Sequence, residues 1–259
     1  MIENYIFDLY GTLVDIHTDQ TKKEVWKVIS RYYLKAGAVW LPKKMKQAYF
    51  RMCEEEEEKL KTPEIRYPEI DLGIVFRRLY EEAPLHIPYL RKQPDSQWIE
   101  KAASVFRKAS REKLFPYRNT ITVLKQLKQK GKGVWLLSNA QTLFTVEELK
   151  MCGLYDLFDG IYISSDHGVK KPQKQFMEAM LKEYDIAKET ALMIGNDMKA
   201  DVGIACACGV PSVFLNTDGY ERKEIERQQK EVISDPSCRP LIIESGDLAE
   251  LLKPENGYA

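Results

Sequence analysis

Charge of one sign is what this sequence lacks most plainly: 39 basic residues balance 39 acidic ones over 259 positions. A surface that grips nucleic acid or an anionic membrane carries a basic excess, so neither is an expected partner and a small molecule is. Cysteine is also sparse. The five, Cys53, Cys152, Cys206, Cys208 and Cys238, are odd in number, scattered and form no CxxC pair. That pattern excludes a zinc knuckle and suggests no disulfide framework, so a reducing cytoplasm is the expected setting. No apolar run reaches the length needed to span a bilayer, and MIENYIFDLYG offers neither a basic leader nor an export-type apolar stretch, so a soluble protein is expected. Repeats and low-complexity tracts are absent. What remains is a chain long enough for one large α/β domain, or for a core with a smaller partner.

Two textures alternate along it. Asn4 to Leu9 is an apolar and aromatic run closed by Gly11 and Thr12, the signature of a short buried strand with Asp8 at its carboxyl end. From about His17 to Lys113 the segments are long, charged and helical in period, as in KKEVWKVISRYYLKA and KKMKQAYFRMCEEEEEKLK, with no convincing strand. We expect an all-helical insert there, with residues 16–111 as a separate cap domain and 1–15 plus 112–259 as the core. The acidic run Glu54 to Glu58 points in all directions around a helix and is expected to be a solvated face. An α/β rhythm returns at LFPYRNTITVLKQLKQKGKGVWLLSNAQ: a helix over Thr120 to Lys130, a turn, and a strand Val134 to Leu137 ending at Ser138. Ile161 to Ser164 is expected as another strand, and ALMIGNDMKADVGIACACGVPSVFLN reads strand, acidic loop, helix, strand. Thr217 to Pro236 is polar and insertion-like, and LIIESGDLAELL supplies a last strand and helix.

Three strands thus end in polar loops, and ligands of open parallel sheets bind just beyond strand carboxyl ends. Asp8 is the candidate nucleophile, with the turn at Gly11 and Thr12 offering donors to an anion. Ser138 and Asn139 can donate to phosphoryl or carboxylate oxygens, and Lys171, before Pro172, can neutralise charge building up in transfer. Asp197 and Asp201, together with Asp8, make an all-oxygen set suited to Mg²⁺. Cys206 and Cys208 in GIACACGV are expected to serve packing.

DLYGT, LLSNA, KKP and GNDMKAD stand in the order of the four motifs of the haloacid dehalogenase superfamily, which this chain resembles over roughly Met1 to Asp15 and Leu114 to Phe214. The resemblance implies a three-layer Rossmann-like α/β core, a parallel sheet between helices, with a helical cap inserted after the first motif. It further implies Asp8 as nucleophile, Ser138 and Lys171 on the transferring group, and Mg²⁺ held by Asp8, the main-chain carbonyl of Tyr10 and acidic residues of the last motif. The implied activity is Mg²⁺-dependent, phosphatase-type hydrolysis of a small phosphorylated metabolite.

Two departures bear on function. Family phosphatases place a second aspartate, their acid and base, where this chain has Tyr10, and a phenol of pKa near 10 is a poor base at neutral pH. The dehalogenases of the family share DxYGT, and a departing halide needs no proton. In the last motif the glycine is followed by Asn196 and Asp197, so either residue stands at the usual metal-ligand position. A metal-free 2-haloacid dehalogenase and a phosphometabolite-binding protein with little catalysis are therefore the competing readings. His17, in DIHTD, is the nearest titratable substitute for the missing acid.

Overall fold

In the computed structural model, residues 1–91 and 93–253 are described. Strand β1 (Asn4–Phe7) lies in the middle of a six-stranded, all-parallel sheet. Its neighbours are β6 (Gly133–Ser138) and β8 (Ala191–Gly195); β7 (Gly160–Ile163) lies beyond β6, and β9 (Ser212–Leu215) then β10 (Leu241–Ile243) lie beyond β8. The strands are apolar on both faces because both are covered. Tyr5, Phe7, Leu136, Leu192 and Ile194 join one hydrophobic cluster, with Val123, Leu124 and Leu127 of α5 (Thr120–Gln129) and Leu149 of α6 (Thr142–Met151). The alternate positions Ile6, Leu137, Ala191 and Met193 join another, with Phe176, Met177 and Met180 of α7 (Lys174–Glu183) and Ile204 and Ala205 of α8 (Gly203–Cys208). That period of two makes the three layers expected from sequence. Each fully buried Phe or Leu stabilises them by roughly 1.5 to 3 kcal/mol.

Between the first and second sheet strands, α1 (Lys23–Lys35), α2 (Pro42–Leu60), α3 (Leu72–Glu81) and α4 (Ser96–Ser110) pack on one another. Trp26, Tyr33, Tyr49, Phe76 and Phe106 form their centre, Trp26 meeting Phe106 at 5.6 Å between ring centroids. The buried Tyr33 hydroxyl is satisfied by donating to the Phe76 carbonyl at 2.7 Å. Within the acidic run, Glu55 and Glu56 each accept from the largely buried Arg78 guanidinium at 2.7 Å, so the face expected to be merely solvated ties α2 to α3.

Strands do occur in this stretch, contrary to the all-helical expectation. β2 (Val14–Thr18) runs antiparallel to β5 (Arg111–Pro116), with Val14 opposite Pro116, and the short β3 (Ala38–Val39) pairs with β4 (Leu85–His86). These pairs join chain segments tens of residues apart and are partly exposed, so neither alternation nor a turn signal marks them locally. The polar tail likewise holds a helix, α9 (Arg222–Val232), whose single buried residue is Ile225. The final expected helix is a 3₁₀ segment, Leu248–Leu252. Cys206 and Cys238 form a disulfide, although the cysteine pattern suggested no disulfide framework and a packing role for Cys206; Cys208 alone of the GIACACGV pair is a buried packing thiol. Among the described residues no helix is long and apolar enough to cross a membrane.

Candidate active site

β1, β6 and β8 are adjacent and parallel, so their carboxyl ends open at one edge of the sheet, and Asp8 leaves β1 there with its N–H still donating to Ile194 at 2.9 Å. Its carboxylate is only 8% exposed and meets the Lys171 ammonium at 2.6 Å through Oδ1. Lys171, itself buried, donates also to the Leu137 carbonyl at 2.8 Å and to Asp201 Oδ1 at 2.7 Å. All three ammonium protons are thereby used. Burial pulls the Lys171 pKa down, but Asp201 and Asp8 outweigh it and hold the amine above its ordinary value. Burial pushes the Asp201 carboxyl up, Lys171 pulls it back and Asp8 adds to the rise, leaving it at about 7. One cation thus stands between two acids.

The loops around this triad do work that the sequence reading assigned to ligand binding. Asn139 was expected to donate to substrate; its amide instead clamps the Lys171 backbone, Nδ2 donating to the carbonyl at 3.0 Å and Oδ1 accepting the N–H at 2.8 Å. It positions the lysine. Gly11 sits at φ +86°, where a Cβ would run into the Asn196 side chain, and its N–H is taken by the Val14 carbonyl at 2.9 Å rather than facing an anion. Thr12 is fully buried, and its hydroxyl lies 3.1 Å from both Asp8 Oδ2 and Asn196 Oδ1. It orients the carboxylate rather than reaching a ligand. Ser138 behaves differently: 1% exposed at the tip of β6, its hydroxyl has no hydrogen-bond partner among the described residues. An orphaned buried hydroxyl costs about 1 to 3 kcal/mol, so a native one calls for a bound partner.

The acidic loop is also rearranged relative to expectation. Asp197 is exposed, and its Oδ1 accepts from the N–H groups of Lys199 and Ala200, both at 2.8 Å, capping the π-helical turn Met198–Val202. Asp201 Oδ2 accepts the Asp197 N–H at 3.0 Å, and the absence of a side chain at Gly195 leaves room for that carboxylate. Asp197 and Asp201 therefore do not form the open ligand pair expected, and among the described residues no three His, Cys, Asp or Glu side chains are grouped to hold a metal. Of the two candidates after the glycine, Asn196 is the one joined to Asp8, through Thr12. A carboxylate oxygen and an amide oxygen about one hydroxyl fit Mg²⁺, which takes one or two carboxylates and completes its shell with water and phosphate.

Tyr10 turns to the helices. Its hydroxyl donates to Glu148 of α6 at 2.5 Å and lies 3.2 Å from the Thr145 hydroxyl. Glu148, 2% exposed, is held by Arg107 of α4 at 2.7 and 3.0 Å and by Arg111 at 2.9 Å. Burial and then the Glu148 charge push the Tyr10 phenol above its ordinary range. None of Glu148, Arg107 and Arg111 was singled out from sequence; the available signal was an acidic residue on the buried face of TLFTVEELKM, between Phe144, Thr145 and Leu149. His17 is exposed on β2 and pairs with Glu112 at 3.3 Å, which engages it elsewhere. Another missed segment lies between α2 and α3: the Lys170 main-chain N–H donates to the Tyr67 carbonyl at 3.0 Å, the Glu69 N–H to the Gly168 carbonyl at 3.1 Å, and the Glu69 carboxylate accepts from Ser164 at 2.8 Å and Gln141 at 3.1 Å. It braces the loop that ends in Lys171.

The Glu148 cluster has a measurable consequence. Burial raises the Glu148 carboxyl, but Arg107, Tyr10 and Arg111 more than reverse this and hold it below the usual carboxylate range. A depressed folded pKa contributes stability that is present above the unfolded pKa, about 4.3, and lost as pH falls through the folded value. Glu148→Gln is expected to destabilise the protein most at neutral pH, by about 3 to 5 kcal/mol, with the gap to the parent narrowing below about pH 4. Denaturant melts from pH 7 to 3 read this; a gap that widens in acid would contradict it.

Known proteins resemble the chain at several levels. The sequence model of the haloacid dehalogenase-like hydrolases matches residues 2–209. A glyceraldehyde 3-phosphate phosphatase of Pyrococcus furiosus is 26% identical over 67% of this chain and 71% of its own length. Another from Methanothermobacter thermautotrophicus is 29% identical over 46% of this chain and 54% of its own. A phosphoserine phosphatase of Thermus thermophilus is 29% identical over 45% of this chain and 46% of its own. The match thus spans about half the length of most of these relatives. Among solved structures, a 2-haloacid dehalogenase from Pseudomonas syringae superimposes over all of both chains with a TM-score of 0.63 at 18% identity, which shows a shared fold.

Proposed function

The chain belongs to the haloacid dehalogenase-like hydrolases, and from that premise we propose that it hydrolyses a small phosphorylated metabolite with Asp8 as nucleophile. The observation that carries this reading is the Asp8 carboxylate held 2.6 Å from Lys171 beside the unpartnered hydroxyl of Ser138. Lys171 pairs with Asp8 and offsets the charge of an incoming phosphate, while Thr12 fixes the carboxylate's orientation. Ser138 supplies a donor to a phosphoryl oxygen, satisfying its own hydroxyl at the same moment. Asp8 and Asn196, with the Tyr10 main-chain carbonyl that the family resemblance implies, would hold Mg²⁺. When bound, the ion supplies positive charge against the phosphoryl oxygens. The helices between β2 and β5 are proposed as the cap, whose 67–69 segment is hydrogen-bonded to the lysine loop. Relatives named as phosphatases of glyceraldehyde 3-phosphate and phosphoserine support the reaction class.

One observation favours a second reading, 2-haloacid dehalogenation. Tyr10 is not a carboxylic acid and its hydroxyl is committed to Glu148, and attack of Asp8 on carbon expels a halide that needs no proton.

Phosphate release from an aryl phosphate, measured with Mg²⁺ and with EDTA, separates the cases. Release that stops with EDTA is expected. Chloride release from 2-chloropropionate that is indifferent to EDTA, without phosphate release, would transfer the assignment to the second reading. Silence in both assays, with protein shown to be folded, would leave a phosphometabolite-binding protein.

A further inference from the structure

Among the described residues every titratable donor near Asp8 is already engaged, and the unpartnered Ser138 hydroxyl is an alcohol, too weak an acid to protonate a departing alkoxide; this bears on what can leave from phosphorus. We propose that the Tyr10, Glu148 and Arg107 cluster withholds the acid from the leaving group, so that the substrate is a mixed anhydride of phosphate and a carboxylic acid. This rests on Asp8 being the nucleophile at phosphorus.

The inventory of donors is short. The three Lys171 protons go to Asp8, Asp201 and the Leu137 carbonyl. Asp201 is 1% exposed and has both oxygens engaged, one by Lys171 and the other by the Asp197 N–H. The Thr12 proton lies between Asp8 and Asn196. Tyr10, two residues beyond Asp8, gives its proton to Glu148 at 2.5 Å. That acceptor does not swing away, because Arg107 grips it at 2.7 and 3.0 Å, Arg111 grips it at 2.9 Å, and Arg107 also packs 5.0 Å from the Phe144 ring and 5.7 Å from the Tyr10 ring. Turning the phenol toward a substrate would strip a buried carboxylate of its shortest hydrogen bond. Tyr10 is therefore a positioning residue, joining the nucleophile loop to α4 and α6.

The chemistry follows from that geometry. A carboxylate oxygen of Asp8 attacks phosphorus, the bond from phosphorus to the bridging oxygen breaks, and its electron pair stays on that oxygen. An alkoxide leaving group, whose conjugate acid is about as weak as water, needs a proton as it departs. A carboxylate, of pKa near 4, leaves as it is. Water then attacks the phosphorus of the phosphoaspartate, the Asp8 carboxylate departs with its electron pair, and the water's proton passes to solvent, leaving inorganic phosphate.

The test is a leaving-group series with Mg²⁺ present: acetyl phosphate, p-nitrophenyl phosphate, phenyl phosphate and glycerol 3-phosphate, each corrected for its spontaneous hydrolysis. A positioned acid is worth about 10² to 10⁴ in rate, so kcat/KM is expected to fall at least about 10²-fold from acetyl phosphate to glycerol 3-phosphate. Tyr10→Phe, which removes the hydroxyl alone, is expected to leave that ratio unchanged whatever it does to the absolute rates. A flat series in the parent protein, or a selective loss of glycerol 3-phosphate turnover in Tyr10→Phe, would overturn the proposal while leaving Asp8 as nucleophile. No turnover of any of the four would overturn both together. The parent series decides the matter even if the variant does not fold.

Discussion

Asp8→Asn is expected to lower kcat about 10⁴-fold or more and to leave the protein folded. The loss follows from replacing a carboxylate by an amide that cannot displace a leaving group at neutral pH, and single nucleophile deletions cost rates of this order. Survival of the fold follows from the charges around it. Asp8, Lys171 and Asp201 together carry one cation and two acids in a site where Asp8 is 8% and Lys171 3% exposed. Removing one acid leaves a one-to-one pair of Lys171 with Asp201, relieves the repulsion that raises the Asp201 carboxyl, and keeps an amide oxygen to accept from the lysine. The expected change in stability is therefore about 1 kcal/mol in either direction. Turnover and a thermal melt on the same preparation check both halves. Activity above a tenth of the parent's, in a sample free of contaminating hydrolase, would take the nucleophile's role from Asp8; a variant that fails to fold would contradict the charge argument.

How much of this was legible in the sequence depends on how local the signal is. Asp8 and Ser138 stood out because each closes an apolar run that a parallel sheet requires, so strand end and polar residue are read in one short window, and Lys171 stood out by its place before Pro172. The sheet's three layers were legible for the same reason. Glu148 and Arg107 were not, since each lies in a helix where one more charge has an ordinary place on the surface; only the packing of α4 against α6 turns both inward. Asp197 is ambiguous for a related reason. An aspartate near a helix start is equally a ligand and a cap, and the free N–H groups of Lys199 and Ala200, adjacent in the chain, compete for its oxygens before any distant group can. Asn139 was read as a donor because its amide can donate; that its two ends match the Lys171 backbone depends on the approach of a loop 32 residues away in sequence. The β2 and β5 pair escaped for want of any local signal at all.

Lys171→Met is the second large effect, and it acts on stability as well as rate. Methionine fills much of the same space but leaves Asp8 and Asp201 facing each other with no cation between them. Breaking a buried pair from one side costs about 3 to 5 kcal/mol, because the remaining charge is neither solvated nor matched. The pH dependence has a definite sign. With the lysine present, Asp201 is already raised to about 7, burial being the largest cause; without it the carboxyl rises further. A carboxyl whose folded pKa exceeds its unfolded value, about 3.9, contributes no penalty below the latter, where both states are protonated. Between the two values the folded protein retains a proton that the unfolded chain has released, so stability falls steadily as pH rises, and the full penalty applies above the folded pKa. The variant should therefore be closest to the parent near pH 4 and furthest from it at pH 8. Adding Asp201→Asn removes one of the two opposed charges and should recover part of the lost stability at pH 8 without restoring turnover, since the site still lacks the cation that pairs with Asp8 and meets the incoming phosphate. Melting temperatures of the parent, the single and the double variant between pH 4 and 8 decide the matter. A single variant whose deficit is the same at both ends, or a double variant no more stable than the single at pH 8, would show that Lys171 contributes packing and backbone contacts rather than charge.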